Sequence, residues 1–322
     1  MTTELLRPPR TRGITLALLS AVLFSTSGTL GKPAMGAGLT PEQVAAVRIG
    51  LAGVVLLAAT ALLRPRTLRV RRESVPVLIG YGLLGVAGVQ LTYFIAVGRI
   101  PVGVAILLEF TSPVLIALWV RVVRRRRLPR AMWAGIALAM AGLVLVAQVW
   151  QGFGLDALGV TAGLDGAVCS AAYFLLGEHA VTEQNPLSLV TWGMVIGAVV
   201  VCVVAPPWTW PWPLMGTDVA FGPWRPPIWL LLLALVLVPT VLSYSAGISS
   251  LRHLPASVAS VLGVAEPVMT VVFAWALLGE NLTDVQVFGA IVLLGGAYLV
   301  QRNAKDVLVR PVTLPGAVTE AR

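Results

Sequence analysis

Apolar residues along this chain come in long blocks, without the alternation of half-buried strands or the one-sided stripe of surface helices. Ten blocks can be drawn, at roughly 13–31, 41–63, 75–97, 101–120, 131–150, 157–181, 187–205, 227–249, 255–278 and 285–300. Most approach or exceed the roughly 20 residues a helix needs to cross the hydrocarbon core of a bilayer. The connections are mostly short and carry Pro, Gly or charge, as helix ends do. The pattern predicts an all-α polytopic membrane protein with ten transmembrane helices and no soluble domain between them. The longest connection, "PPWTWPWPLMGTDVAFGPWRPP" from Pro206, suits a membrane-interface belt through its tryptophans and is assigned no catalytic role.

Composition agrees with the pattern. Hydrophobic residues make up 57% of the 322 and charged residues 11%, where a soluble domain carries about a quarter charged. The first block follows Arg7, Arg10 and Arg12 as a secretion signal would, but it is long for one and many further blocks follow. It reads as a retained first helix. Cys169 and Cys202 lie inside apolar blocks without metal or redox spacing, so neither a disulfide nor a cofactor is expected.

Charge placement orients the chain. With a cytoplasmic N-terminus, the even-numbered connections and both tails hold 19 of the 23 Lys and Arg residues, all but Lys32, Arg48, Arg99 and Arg225. This is the split of the positive-inside rule. Both termini are therefore expected in the cytoplasm. The net charge of +9 is accounted for by topology. No nucleic-acid partner is expected, and contact with anionic lipid is an added contribution.

The stretch "PVLIALWVRVVRRRRLPRAMWAGIALAMAG" from Pro113 has a counterpart from Pro267, "PVMTVVFAWALLGENLTDVQVFGAIVLLGG". A constant offset of 154 places Pro101 on Pro255, Ala105 on Ala259, Pro113 on Pro267, Gly135 on Gly289 and Gly142 on Gly296. Where the first copy reads "RRRR" the second reads "GEN". A repeat of five helices explains the contrast, because an odd number sends the second copy through the membrane upside down. Inverted repeats of this kind build secondary transporters that bind substrate near the midplane between the halves. The expected organisation is a cytoplasmic tail 1–12, a first five-helix repeat 13–150, a second 157–302 and a disordered cytoplasmic tail 303–322.

The segment "EPVMTVVFAWALLGENLTDVQVFGAIVLLGGAYLV" resembles the terminal motif of the EamA domain of the drug/metabolite transporter superfamily. "RIPVGVAILLEFTSPVLIALW" is similar to the matching first-repeat region, especially in the bacterial threonine/homoserine exporter branch. The resemblance covers nearly the whole chain as two tandem domains. It implies ten helices, an inner-membrane location and export of small metabolites, often amino acids, by secondary transport. One departure is that Glu280, in the "LGE" turn, has Arg126 as its counterpart.

Ionisable residues inside a bilayer are costly, at least about 2.5–3.5 kcal/mol at a helix centre, and are functional candidates by default. The chain offers Arg48, Glu109, Asp165 and Glu266, with Glu178 nearer a helix end. Glu109 stands four residues before Pro113, whose missing N–H leaves the Glu109 carbonyl without its helical donor. With Thr111 and Ser112 beside it, this makes a receptor for a substrate ammonium or a proton; the competing reading is a structural glutamate. Glu266 precedes Pro267 and aligns with Ser112, so the two acids are not repeat mates. It would line the same cavity or pair with Arg48. Arg48 would receive a carboxylate as a bidentate pair, neutralise an acid, or snorkel to the interface. Asp165 is a gate or proton-coupling candidate, or else an interface residue. Gln90, Tyr93 and Tyr244 suit a cavity lining or ordinary interhelical hydrogen bonds.

No nucleotide-binding loop, metal-ligand cluster or hydrolase constellation stands in the sequence. The reading is a transporter, not an enzyme, exporting a small, zwitterionic metabolite such as threonine or homoserine, with proton antiport as the candidate coupling. The alternatives are an exporter of cationic drugs, an importer of another metabolite, or a non-transporting membrane sensor or assembly partner. A monomer can suffice, and a homodimer is equally compatible.

Overall fold

The computed structural model describes residues 10–97, 99–100, 102–148, 150, 156–278 and 283–303. Pro101, Glu280 and most of both tails, with Arg7, Lys305, Arg310 and Arg322, lie outside the described residues. Among those described, secondary structure is helical apart from two isolated bridges in the long connection, Asp218 with Pro227 and Phe221 with Trp224. Seven helical stretches of 19 to 27 residues are long and apolar enough to span a membrane, and three shorter apolar ones accompany them. Together they account for the ten blocks.

The first and sixth blocks form helices longer than the apolar pattern alone suggests, while the second and seventh match theirs to within a residue. The first helix is Arg10–Gly36, the second Pro41–Leu63, the sixth Ala157–Glu183 and the seventh Pro186–Val204. The second begins with a capping box, Thr40 and Gln43 each satisfying the other's orphan backbone N–H, with Pro41 in the first turn. Such caps satisfy the orphan backbone groups that every helix end leaves.

Four of the ten spans are not continuous α-helices. The third is Val75–Gly80, a π-helical stretch Tyr81–Gly88 and Val89–Val97. The fourth breaks between Val102–Glu109 and Ser112–Val122, and the ninth between Ala256–Gly263 and Ala265–Leu278. The eighth runs Ile228–Val236, a π-helical stretch Leu237–Leu242 and Ser243–Ser250. In the fourth and ninth spans the break falls just before Pro113 and Pro267, which cannot donate to the preceding turn. Both acids stand at these breaks: Glu109 closes one half-helix and Glu266 lies in the first turn of another.

The fifth span, Arg130–Ala147, packs along the tenth, Asp284–Asn303. The glycines matched by the 154-residue offset meet there with partners exchanged. A Cβ on Gly142 would come within 2.7 Å of the Gly289 carbonyl oxygen, and one on Gly296 within 2.6 Å of the Gly135 oxygen. Small residues that let backbones touch are the usual glue between membrane helices. The reciprocal exchange is what a two-fold relation between the halves demands.

Candidate functional site

Arg48 is carried into the interior by the second helix and is 6% exposed. Its receptor is made by a proline in the eighth span. Pro239 has no N–H for the Leu235 carbonyl, and the Thr240 hydroxyl donates to that carbonyl instead at 2.8 Å. The same hydroxyl accepts from Arg48 Nε at 2.8 Å, while the Pro239 carbonyl accepts from Nη2 at 3.2 Å. Gln90 Oε1, in the first turn after the π-helical stretch of the third span, accepts from Nη1 at 3.5 Å. Phe24 of the first helix lies under the guanidinium, its ring centre 5.9 Å from Cζ. A guanidinium has five N–H groups, so two stay unused by these contacts.

Arg48 therefore does not snorkel, and among the described residues it pairs with no acid. All three of its hydrogen bonds go to neutral oxygens. Glu109 and Glu266 both line the same cavity as Arg48, and among the described residues the side chain of neither makes a hydrogen bond or ion pair. Gly166 of the sixth helix leaves room for Glu109, whose Cγ is 3.8 Å from where a Cβ there would sit. Ser170, one turn on, donates to Ser112 Oγ at 3.1 Å. Ionisable groups held apart inside a membrane protein and open to one cavity make that cavity the candidate binding site.

The cavity measures about 550 Å³ and is bounded by the first four spans together with the sixth, eighth and ninth. Gln90, Tyr93, Tyr244 and Ser112 line it with Arg48, Glu109 and Glu266, and Lys32 joins the lining at one end. Tyr244 packs edge-on to Phe24 at 4.9 Å and to Tyr173 at 5.7 Å. Two candidates stand elsewhere. Thr111 spends its hydroxyl on the Leu108 carbonyl at 2.6 Å and is not in the lining. Asp165 is exposed on the outer face of the sixth helix, also away from the lining.

Sequence reasoning did not single out Phe24, Tyr173, Ser260 or Thr240. Thr240 was open to discovery, because a hydroxyl next to a mid-span proline is well placed to satisfy the carbonyl that the proline abandons. In the first helix Ser25, Thr26 and Thr29 bond back to their own backbone, and Ser27, Gly28 and Thr29 reach the lining.

Paired helical halves around a central cavity that holds ionisable side chains call for comparison with known proteins. The EamA-like transporter family model matches residues 11–148 and 157–302. The chain belongs to the EamA-like transporter family. As a member it is a multi-pass membrane transporter acting on a small molecule. It is 28% identical over 287 residues to the threonine/homoserine exporter RhtA of Salmonella typhimurium (strain LT2), covering 88% of this chain and 89% of that protein. It is 26% identical over 300 residues to RhtA of Escherichia coli (strain K12), covering 91% and 93%. An uncharacterised transporter of Bacillus subtilis, YyaM, is 27% identical over 263 residues, covering 80% of this chain and 83% of that one. A solved crystal structure with 20% identity superposes with a TM-score of 0.73 over 93% of this chain and all of that chain, a likeness of fold.

Proposed function

We propose that this EamA-like protein exports a small zwitterionic amino acid, of the threonine or homoserine kind, across the inner membrane in exchange for protons. The observation that carries the reading is that Arg48, Glu109 and Glu266 line a single cavity without pairing with one another. A substrate carboxylate would take the two unused N–H groups of Arg48, and its ammonium would lie against Glu109 or Glu266. Both contacts are charge-assisted and operate where water is scarce, so they supply affinity and orientation together. The similarity to threonine/homoserine exporters over about nine-tenths of the chain supports the same substrate class.

Glu109 is the proposed site of coupling. A carboxyl that accepts a proton from outside releases the substrate ammonium, and one that loses it to the cytoplasm is ready to bind again. Opposite occupancy of one group by proton or ammonium is sufficient for exchange. The uneven split of arginine supports a cytoplasmic position for the connections after the second, fourth and eighth spans and for both termini. The five-helix repeats 13–150 and 157–302 would then rock about the cavity.

The test is efflux of labelled threonine and homoserine from proteoliposomes, with and without an imposed pH gradient. Gradient-driven efflux supports the reading. Flux of organic cations in place of amino acids would favour the cationic-drug alternative, for which the unpaired acids are the relevant observation.

A further inference from the structure

The cavity is open at one end and shut at the other. Away from the arginine-rich connections its lining includes Gly28 and Lys32, both exposed. Toward those connections it ends at Ser250 and Ser260, 1% and 2% exposed. The closure has two layers. In the inner one the Tyr173 ring stands edge-on to Phe174 at 5.0 Å, and its hydroxyl rests against Gly247, where a Cβ would lie 2.8 Å away. The hydroxyl of Ser260 is buried there with no hydrogen-bond partner among the described residues. Water entering this end would relieve its desolvation and so favour opening.

The outer layer holds it shut. Glu178, near the end of the sixth helix, places Oε2 2.6 Å from Arg124 Nη1 and accepts the Ala256 N–H on Oε1 at 3.1 Å. Arg124 follows the fourth span, where its backbone N–H bonds the Trp119 carbonyl at 3.2 Å. Ala256 opens the ninth span, and its N–H is one of the orphan donors of a helix start. One carboxylate thus ties the first repeat to two helices of the second, across the mouth that is closed. The two side chains are 37% and 19% exposed, so an opening of this end would let water replace the contact.

We propose that Glu178 is a latch on the arginine-rich end of the cavity, released from Arg124 each time that end opens. The inference rests on the transport reading but needs no substrate to be tested. In the full-length chain with Cys169→Ala and Cys202→Ala, Ser260→Cys reports access to the shut end. A membrane-impermeant maleimide is applied separately to right-side-out and inside-out vesicles. Trp208→Cys, exposed on the opposite connection, reports orientation and insertion.

Labelling of Ser260→Cys from the arginine-rich side is slow with the latch intact. Glu178→Ala raises its rate about fivefold or more, the population shift expected when a charge-assisted tether between two states is cut. Glu178→Gln, which keeps an acceptor for Ala256, gives a smaller rise. The exchange Arg124→Glu with Glu178→Arg brings the rate back down. Unchanged labelling in Glu178→Ala overturns the latch, as does a rise that the charge exchange fails to reverse. A changed labelling rate beside absent amino-acid efflux would keep the latch and remove the substrate reading instead.

Discussion

Thr240 Oγ1 accepts from Arg48 Nε at 2.8 Å and hands its own proton to the Leu235 carbonyl, at 2.8 Å as well. One hydroxyl thus repairs the gap left by Pro239 and aims the cation of the cavity. Thr240→Val keeps the shape and removes both bonds. The expected loss is about 1–3 kcal/mol for the unsatisfied buried partners, read as a lower midpoint of thermal unfolding in detergent. The apparent KM for a carboxylate-bearing substrate should rise with it, because Arg48 loses its aim.

Arg48→Gln separates the two transport readings. It should impair flux of any substrate with a carboxylate by tenfold or more, about 1.4 kcal/mol for one charge-assisted contact. Transport of organic cations should be spared. Equal loss for both classes, with the protein correctly inserted, would mean that Arg48 serves structure alone.

Glu109→Gln keeps size and hydrogen-bonding capacity and removes the charge. Gradient-driven efflux should vanish while insertion and thermal stability persist, since no described side chain depends on this carboxylate for a partner. Unchanged efflux would take Glu109 out of the mechanism. Asp165→Asn is the contrasting variant: from the outer face of the sixth helix it should leave efflux within about twofold of the parent, as substitutions away from named features do.

Gly142→Ala tests the seam between the halves. A Cβ within 2.7 Å of the Gly289 oxygen forces the fifth and tenth spans apart. The expected destabilisation is about 1–3 kcal/mol, the range for overpacking. Gly295, with nothing within 4 Å of its Cβ position, is the matched control: Gly295→Ala should be neutral or slightly stabilising, because alanine is the better helix former.

Membership of the membrane is a sum over each segment's own residues, and so is the charge rule that orients it. For that reason the ten spans, the inverted repeat and the glycine register were all legible in the chain. Insertion cost likewise pointed to Arg48, Glu109 and Glu266 without reference to any neighbour. Which face of a helix looks inward is a different kind of property, set by rotation and crossing against other helices. Glu109 and Asp165 are both acids within apolar blocks, yet one enters the cavity and the other faces outward. Thr111 and Ser112 are adjacent, yet only Ser112 reaches the lining. Likewise, residues 192 positions apart form the Arg48–Thr240 contact, and 78 positions separate Glu178 from the N–H it caps. Segment hydrophobicity selected the helices; only their packing decided which side chains share a cavity and which end of it is closed.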